Sequence, residues 1–421
     1  ENLWLAGRNV TLAGAGAETT IIDGDYSGSV VSLEDGETLE VQNLTLANGY
    51  ASDGSGIYAG EDATVVLRDV VFSDNGSDSS TVYGGAIYMD GGALTLANVE
   101  FDATWADASS TIYGGVICAY SVDITATDVS IHDTNTWSYN TTYGLIYNNY
   151  GVSTWDAIDI YDNYIETDFS LYPGFYYGEH GVSNLNAYNN EFVGTYSYGT
   201  LYPFFRSYDV DTTLANVSYT GNDITSSGYV YGGLAYGYYG TTDIDNAVFA
   251  GNSVTSARYL YSSFAYISSN GILDLANIDV VGNSVGSVTY SHYGMVYSSS
   301  SSASTTVLNT NLVGNSLGSP TAAFFYGSSG SVDVNYSNAY GNTASSSYFI
   351  YEGGGEKDLS AALGLIGEDP LYTDVTDSDP ANWDLSLGTG SPSIDAGSPD
   401  ILDTDGTTSD IGAYGGPGGS W

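Results

Sequence analysis

One eight-residue phrase recurs along this chain at intervals of about 30 residues and limits the folds that the chain can adopt. In Leu94-Thr-Leu-Ala-Asn-Val-Glu-Phe101 the apolar residues alternate before and after Asn98, but the alternation changes parity there. Side chains of a β-strand point alternately to its two faces, so all four apolar residues share a side only if the chain bends at Asn98. Asn suits such a bend because it tolerates the left-handed backbone conformation.

The bend position occurs twelve times, and ten of the twelve residues are Asn or Asp. From Asn43 onward the spacing between successive bends is 26 to 32 residues. Residues one and three places after each bend are mostly apolar, which predicts that they point inward. A second Asn often follows six residues after the bend. The twelve predicted bends are Asn9, Asn43, Asp69, Asn98, Asp128, Ala157, Asn184, Asn216, Asn246, Asn277, Asn309 and Tyr336.

A third strand-like run, such as Tyr83-Gly-Gly-Ala-Ile-Tyr88, lies between successive phrases, so each repeat has three short strands and three bends. A propeller or a sandwich would need hairpin signals that are missing from these repeats. The repeats therefore predict an all-β, right-handed parallel β-helix (a β-solenoid) of about twelve coils, with an irregular C-terminal closing segment. We expect the β-helix at residues 1–352 and the closing segment at residues 353–421. Stacked coils should also align the recurrent Asn residues into hydrogen-bonded ladders.

The charge of the chain excludes several partners. Five Lys and Arg residues stand against 50 Asp and Glu residues, for a net charge of −45. Nucleic acids need clustered basic residues, and anionic surfaces would be repelled, whereas divalent cations are natural partners. No apolar run approaches the ~20 residues of a membrane-spanning helix. The single cysteine, Cys118, stands in a strand-like run and is expected to be a buried small hydrophobic residue.

One stretch near the C-terminus has the spacing of a cation-binding loop. Asp403, Asp405 and Asp410 surround Gly406, and Asp400 precedes them. Carboxylates at alternate positions around a glycine turn can wrap oxygen ligands around Ca²⁺. The alternative is a solvated Asp-rich turn. We predict a Ca²⁺ site formed by Asp400, Asp403, Asp405 and Asp410.

Three sets of phrases resemble known families. Gly84-Gly-Ala-Ile87 and Phe72-Ser-Asp-Asn75 resemble the repeats of the polymorphic outer membrane proteins, a family of autotransported bacterial adhesins. Asn9-Val-Thr-Leu-Ala-Gly-Ala-Gly16 is similar to the first coil of many β-helices of the pectate-lyase superfamily. The series from Asp369-Pro-Leu-Tyr372 to Asp410-Ile-Gly-Ala-Tyr-Gly415 resembles the C-terminal end of secreted β-helix proteins of the choice-of-anchor Q type. These resemblances imply an extracellular or cell-surface location.

The fold also hosts lyases and glycoside hydrolases, so enzyme activity has to be weighed. The basic residues and the histidines are scattered, and with 50 acidic residues carboxylate pairs arise by chance. We therefore predict a non-catalytic surface or scaffold protein, adhesin-like, with no catalytic residues and with a glycan or a protein as receptor. A carbohydrate-active enzyme is the alternative. The groups weighed for catalysis are Arg206, His132, His180, His292, the pair Asp156 and Asp159, and the pair Asp209 and Asp211.

The two ends of a β-helix expose unpaired strand edges that invite pairing. The chain opens on the strand-like residues Leu3-Trp-Leu5 and ends at Trp421 after a glycine-rich stretch. This arrangement predicts head-to-tail self-association into a filament. The alternative is that a capping segment has been removed from the N-terminus.

Overall fold

The computed structural model describes residues 2–286, 289, 291–318, 323–344, 349–357 and 362–419, with residues 291 and 292 by their backbone only. The chain forms two compact units. The first contains Glu1–Val182 and Asn190–Arg206, and the second contains Ser183–Asn189 and Ser207–Trp421.

Each unit is a stack of coils in which a strand pairs in parallel with its counterpart one coil later. The strands lie on three faces, and together the described residues make about 11 right-handed turns. The predicted right-handed parallel β-helix is therefore confirmed, and this hand is the one that parallel crossovers favour.

In the first unit, all three faces follow the order of the chain. The first face contains Val10–Ala13, Ile21–Asp23, Thr38–Ala47, Thr64–Ser73, Ala93–Asp102, Asp123–His132 and Val152–Tyr161. The second contains Gly76–Tyr83, Trp105–Tyr113, Asn135–Ser138, Thr141–Tyr143, Tyr164–Thr167, Ser170–Tyr172, Glu191–Gly194 and Thr200–Leu201. The third contains Leu3–Trp4, Val31–Leu33, Ile57–Glu61, Ile87–Asp90, Ile117–Tyr120, Ile146–Asn149 and Phe175–Tyr176. Two further strands, Glu179–Tyr188 and Phe205–Tyr208, have residues in both units.

The second unit repeats this plan. Its first face contains Thr212–Thr220, Thr241–Ala250, Ile272–Val281, Ser304–Val313, Ser331–Asn335 and Asn338–Tyr340. The other two faces contain Asp223–Ser226, Tyr229–Val230, Ala235–Tyr238, Ser253–Ser256, Tyr259–Ser268, Ser284–Val285, Ser291–Ser298, Ser316–Leu317, Phe325–Gly327 and Ile350–Glu352.

After these coils the pairing becomes antiparallel. Gly355–Glu356 pairs with Ile350–Glu352, and Tyr372–Asp374 pairs with Asp384–Leu387. A single 3₁₀ turn, Pro380–Asn382, lies between the last two strands. The division at residues 352 and 353 stays a prediction. In the described part of the chain, no helix has the length and apolarity needed to cross a membrane.

Eleven of the twelve predicted bends are confirmed. From Asn43 to Tyr336 every predicted bend residue has a φ between 46° and 55°. The prediction for Asn9 is wrong. Ala13 pairs with Gln42, which places Gly14 and not Asn9 level with the bend at Asn43. A Cβ atom at Gly14 would lie 2.1 Å from the Asn43 carbonyl oxygen, so only glycine fits there.

The core lies inside the coils, where the phrase predicted it. Phe72, Phe101, Ile131 and Phe249, each three places after a bend, have no exposed surface. Aromatic side chains stack between successive coils, as in Phe72 and Phe101, whose ring centroids are 4.8 Å apart.

The predicted Asn ladders are also present. In the second unit, Asn222, Asn252, Asn283 and Asn315 each donate a side-chain N–H to the amide oxygen of the next Asn, at 2.9 to 3.1 Å. These four amides are almost fully buried. The ladder therefore satisfies polar groups at one corner of the coils where water has no access.

Candidate functional site: a cleft beside the C-terminal segment

The C-terminal segment of the second unit, residues 369–418, lies along the outer side of the first face of that unit. Asn246 donates its side-chain N–H groups to the carbonyl oxygens of Ala413 and Gly415, both at 2.7 Å. Asn311 donates to the carbonyl oxygen of Ile411 at 2.7 Å. The outward amides of the first face thus bind the backbone of the segment.

An apolar contact supports these hydrogen bonds. Leu385 and Ala413 of the segment are buried against Val248, Ala250 and Val281, which point outward from the first face. Apolar outward residues in these coils explain why the segment docks here, since a strand face fully exposed to water would favour polar residues.

The exposure of the bend amides changes along the second unit. Asn246, Asn277 and Asn309 are buried, Asn216 is half-buried and Asn184 is exposed. Asn216 donates to the side-chain oxygen of Asn184 at 2.9 Å, so the two amides belong to one ladder. The column of bend amides therefore becomes accessible to solvent at Asn216 and Asn184.

A cleft of about 400 Å³ opens there, between the first face and the C-terminal segment. This volume lies within the range of small-molecule sites, roughly 300–1,000 Å³. The first face supplies amides, hydroxyls and two small apolar side chains, and the segment supplies aromatic and apolar side chains. The lining residues are Asn184, Asn186, Asn216, Ser218, Thr220, Val248, Ala250, Pro380, Ala381, Trp383, Leu385 and Tyr414.

Local structure fixes the aromatic wall. The Asp379 carboxylate accepts a hydrogen bond from the Ala381 N–H at 3.0 Å and caps the 3₁₀ turn that carries Pro380. The indole N–H of Trp383 donates to the carbonyl oxygen of Asp377 at 2.8 Å, which orients the ring. A Cβ atom at Gly282 would lie 2.7 Å from this ring, so the glycine lets the indole lie close to the strand.

The chemistry of the cleft is that of recognition. Amide groups both donate and accept hydrogen bonds, hydroxyls do the same, and an aromatic ring offers an apolar face. None of the described residues that line the cleft carries a carboxylate, an imidazole or a basic group. These side chains can bind a neutral, hydroxyl-rich molecule, but they supply no group for proton transfer near pH 7.

Asp279 is the buried acid behind the aromatic wall. Its carboxylate accepts hydrogen bonds from the Tyr372 hydroxyl at 2.5 Å, the Ala413 N–H at 2.8 Å and the Asn311 side chain at 2.9 Å. Burial raises the pKa of Asp279 to about 6, although these three donors oppose the rise. Through these hydrogen bonds, Asp279 links its own coil to the neighbouring coil at Asn311 and to the segment at Tyr372 and Ala413.

The residues of the predicted Ca²⁺ site have backbone and hydroxyl partners. The Asp403 carboxylate accepts from the N–H groups of Asp410 and Gly416, and Asp405 accepts from the N–H and hydroxyl of Thr407. The Thr407 hydroxyl holds the pKa of Asp405 below its usual value.

Asp410 and Asp400 complete the predicted set. Asp410 accepts from the Asp395 N–H at 2.8 Å, and burial raises the pKa of Asp410 to about 6. Asp400 is exposed. The carboxylates thus shape the turns of this loop, and Ca²⁺ binding stays a prediction.

The histidine at residue 132 has the charged neighbours that the sequence did not reveal. Strand pairing places Asp102 beside His132, and the imidazole contacts Glu100 at 3.1 Å and Asp133 at 2.9 Å. Burial opposes the charge on the imidazole, but the hydrogen bonds to Asp133 and Glu100 outweigh it and raise the pKa of His132. Within the described residues, Asp102, His132 and Asp133 form the one group whose atoms could share a metal ion.

The other described side chains weighed for catalysis lie apart from the cleft lining. Asp211 accepts a hydrogen bond from the Thr241 N–H at 2.7 Å, and Asp209 is a left-handed turn residue. Asp156 and Asp159 lie on either side of the bend at Ala157. His180 is buried, which lowers its pKa to about 4, and the side chain of His292 lies outside the described residues.

Tyrosines of the first unit form stacks between successive coils. Tyr83, Tyr113, Tyr143, Tyr172 and Tyr202 follow one another with ring centroids 4.3 to 5.2 Å apart. The half-buried Arg206 lies over the rings of Tyr172 and Tyr202 and donates to the Tyr176 hydroxyl at 2.8 Å. Cys118 is buried against this cluster, as predicted.

The chain is thus a parallel β-helix with a lateral cleft. No protein-family model and no curated protein sequence matches it. Among solved structures it is similar to pectate lyase Pel9A, with 15% identity, 96% of each chain covered and a TM-score of 0.44. It is also similar to the A-module of the Azotobacter vinelandii mannuronan C-5 epimerase AlgE6, with 14% identity, 80% of this chain and 84% of that chain covered, and a TM-score of 0.26. Similarities at this level assign no reaction and no ligand, and the fold rests on the strand pairing.

Proposed function

We propose that this protein is a non-catalytic carbohydrate-binding β-helix that works outside the cell, and that its cleft receives an uncharged saccharide. The observation that carries the proposal is the neutral cleft, which sets the Trp383 ring against the amides of Asn184 and Asn186. A sugar has an apolar C–H face that packs on an aromatic ring, and its hydroxyls both donate and accept hydrogen bonds.

Charge supports the choice of an uncharged saccharide. The chain carries a net charge of −45, so a polyuronate would be repelled on approach. The cleft offers no basic side chain to a carboxylate within its described lining. A neutral glycan meets neither obstacle.

Calorimetric titration with cellohexaose, xylohexaose and mannohexaose, against hexagalacturonate, tests the proposal. At least one neutral oligosaccharide should bind, and Trp383→Ala should weaken it by about tenfold, since an aromatic contact contributes about 0.5–1.5 kcal/mol beyond its area. Trp383→Phe should retain part of the affinity, and Asn186→Ala should weaken it from the opposite wall. Trp4→Ala is the matched control, because Trp4 is an exposed tryptophan outside the cleft lining.

Two results would contradict the proposal. One is tighter binding of hexagalacturonate than of every neutral oligosaccharide. The other is an affinity that neither Trp383→Ala nor Asn186→Ala changes, which would place the binding surface elsewhere.

A carbohydrate-active enzyme is the second candidate function. The contacts of His132 with Glu100 and Asp133 favour it, because they hold titratable groups within hydrogen-bonding distance on an outer face. Turnover of the same oligosaccharides that Glu100→Gln abolishes would establish this function. Absence of turnover of these oligosaccharides would count against this second candidate. Extracellular location and head-to-tail assembly stay predictions, and Trp421 lies outside the described residues.

A further inference from the structure

Asp279 is the one acidic side chain in the described residues that is both fully enclosed and hydrogen-bonded to the C-terminal segment. It points outward from the first face and has 1% of its surface exposed. The Tyr372 hydroxyl and the Ala413 N–H reach it from two separate parts of the segment. The docked segment therefore completes the enclosure of this carboxyl group.

The groups that face Asp279 carry no compensating positive charge. Asn311, on the neighbouring strand, is neutral. The segment presents Tyr372 and Tyr414, whose pKa values are both raised by burial, and the charges that act on these two tyrosines include the carboxylates of Asp369 and Asp384. Ionisation of Asp279 is thus balanced only by hydrogen bonds, and burial outweighs them.

The segment that covers Asp279 also builds the cleft. Pro380, Trp383, Leu385 and Tyr414 come from this segment and form the apolar side of the cleft. Leu385 and Tyr414 pack in the same cluster as Tyr372 and Ala413. Opening the segment would expose Asp279 and would remove that side of the cleft.

We propose that Asp279 is a pH-dependent latch, which makes the C-terminal segment open less often at mildly acidic pH than at neutral pH and so controls how long the cleft stays assembled. The part that concerns the cleft rests on the proposed saccharide binding.

The direction in which pH changes the docking of the segment follows from proton linkage. With the segment docked, the pKa of Asp279 is about 6, and with the segment open it should approach the ordinary 3.8. The docked state therefore binds the proton more tightly, so docking is favoured as pH falls and loses this contribution as pH rises through 6. Between pH 7.5 and pH 5, these two pKa values make the docking equilibrium about tenfold more favourable.

Hydrogen–deuterium exchange on the full chain measures this equilibrium. After correction for the intrinsic exchange rate, amides in residues 372–387 and 409–416 should be about tenfold better protected at pH 5 than at pH 7.5. Amides of residues 64–73, in the first unit, should not change. Equal protection of the segment at both pH values would overturn the latch.

Three variants separate Asp279 from the general effect of acid. In Asp279→Asn the protection of residues 372–387 should lose its dependence on pH, while a dependence that remains at residues 409–416 belongs to Asp410, whose pKa burial also raises to about 6. Asp274→Asn, which removes the same charge from the same strand, should retain the wild-type dependence. Tyr372→Phe removes a donor that lowers the pKa of Asp279, so the transition should move to higher pH. A transition that Tyr372→Phe leaves in place would overturn the proposal even if Asp279→Asn failed to fold.

A final arm separates the latch from the saccharide site. A mixture of cellohexaose, xylohexaose and mannohexaose should further protect the same segment amides, because a ligand that needs the closed cleft stabilises it. Protection that depends on pH but not on these sugars would support the latch and overturn its link to saccharide binding. Protection by the sugars without any pH dependence would support the site and overturn the latch.

Discussion

The buried Asn ladder offers the sharpest test of how these coils are held together. The side chain of Asn283 makes four hydrogen bonds. Its N–H groups donate to the carbonyl oxygen of Phe249 and the amide oxygen of Asn315, and its oxygen accepts from the backbone and side-chain N–H groups of Asn252. Asn283→Ala removes all four bonds without disturbing the backbone bend nearby.

The expected loss of unfolding free energy follows from the number of hydrogen bonds that the substitution removes. A buried hydrogen bond contributes about 1 kcal/mol net, and a buried donor left without a partner costs about 1–3 kcal/mol. The backbone N–H of Asn252 loses the acceptor that it has in the ladder, while the Asn252 side chain still donates to Tyr219. We expect Asn283→Ala to lower the free energy of unfolding by about 4 kcal/mol. Asn342→Ala removes three bonds at a half-buried position and should cost about 2 kcal/mol.

Urea unfolding, followed by circular dichroism, checks this prediction. Asn270→Ala is the control, because Asn270 is exposed in a turn and its loss should stay within about 0.5 kcal/mol. A loss below about 1 kcal/mol for Asn283→Ala would refute the reasoning. So would a larger loss for Asn342→Ala than for Asn283→Ala, because the ladder would then not depend on burial.

Two further predictions concern ionisable groups. The pKa of His132 is raised in the folded state, so its ion pairs stabilise the fold fully below the unfolded pKa of about 6.5, and this stabilisation disappears as pH rises through the folded pKa. His132→Gln should therefore lower the melting temperature more at pH 6 than at pH 9. An equal loss at both pH values would contradict a charged imidazole. The predicted Ca²⁺ site at residues 400–410 requires that Ca²⁺ raise the melting temperature relative to chelator and that Asp405→Ala abolish this increase. The control Asp377→Ala removes a similar exposed turn carboxylate and should leave the increase in place. A melting temperature that chelator leaves unchanged would count against the site.

The coils were predictable because every coil repeats the same local physics. A residue with left-handed φ between two apolar pairs leaves the same pattern in each repeat, and stacking then aligns equivalent positions. The pattern failed at Asn9 because Gly14, and not Asn9, lies level with the bend at Asn43, and neither residue has a positive φ. Gly14 carries no side chain to mark its role, and the nearby Asn9 resembled a bend residue.

The cleft was not predictable from the repeats. Its aromatic side comes from a segment that follows no period, and a sequence pattern cannot show where such a segment docks. One signal was present, since Val248 and Val281 are apolar at positions where the phrase puts outward residues. The cluster at His132 could have been found by register alone, because Glu100 and Asp102 lie about one repeat earlier.

The way in which the C-terminal segment docks also indicates how a ligand would bind. Asn246 donates its side-chain N–H groups to backbone carbonyl oxygens of the segment, whereas Asn309 donates to the Ser409 hydroxyl and accepts from the backbone N–H of Ser398 at 2.8 Å. Asn184 and Asn216 continue the same column of bends into the cleft. The five successive bends from Asn184 to Asn309 each carry an amide, and neighbouring strands lie about 4.8 Å apart, so a ligand with regularly spaced donors and acceptors can engage successive coils. A saccharide offers such groups in its hydroxyls, as the segment does in its peptide bonds. The repetitive fold therefore supplies a periodic polar surface, and the non-repetitive segment both occupies part of it and adds the aromatic wall for the part that stays accessible.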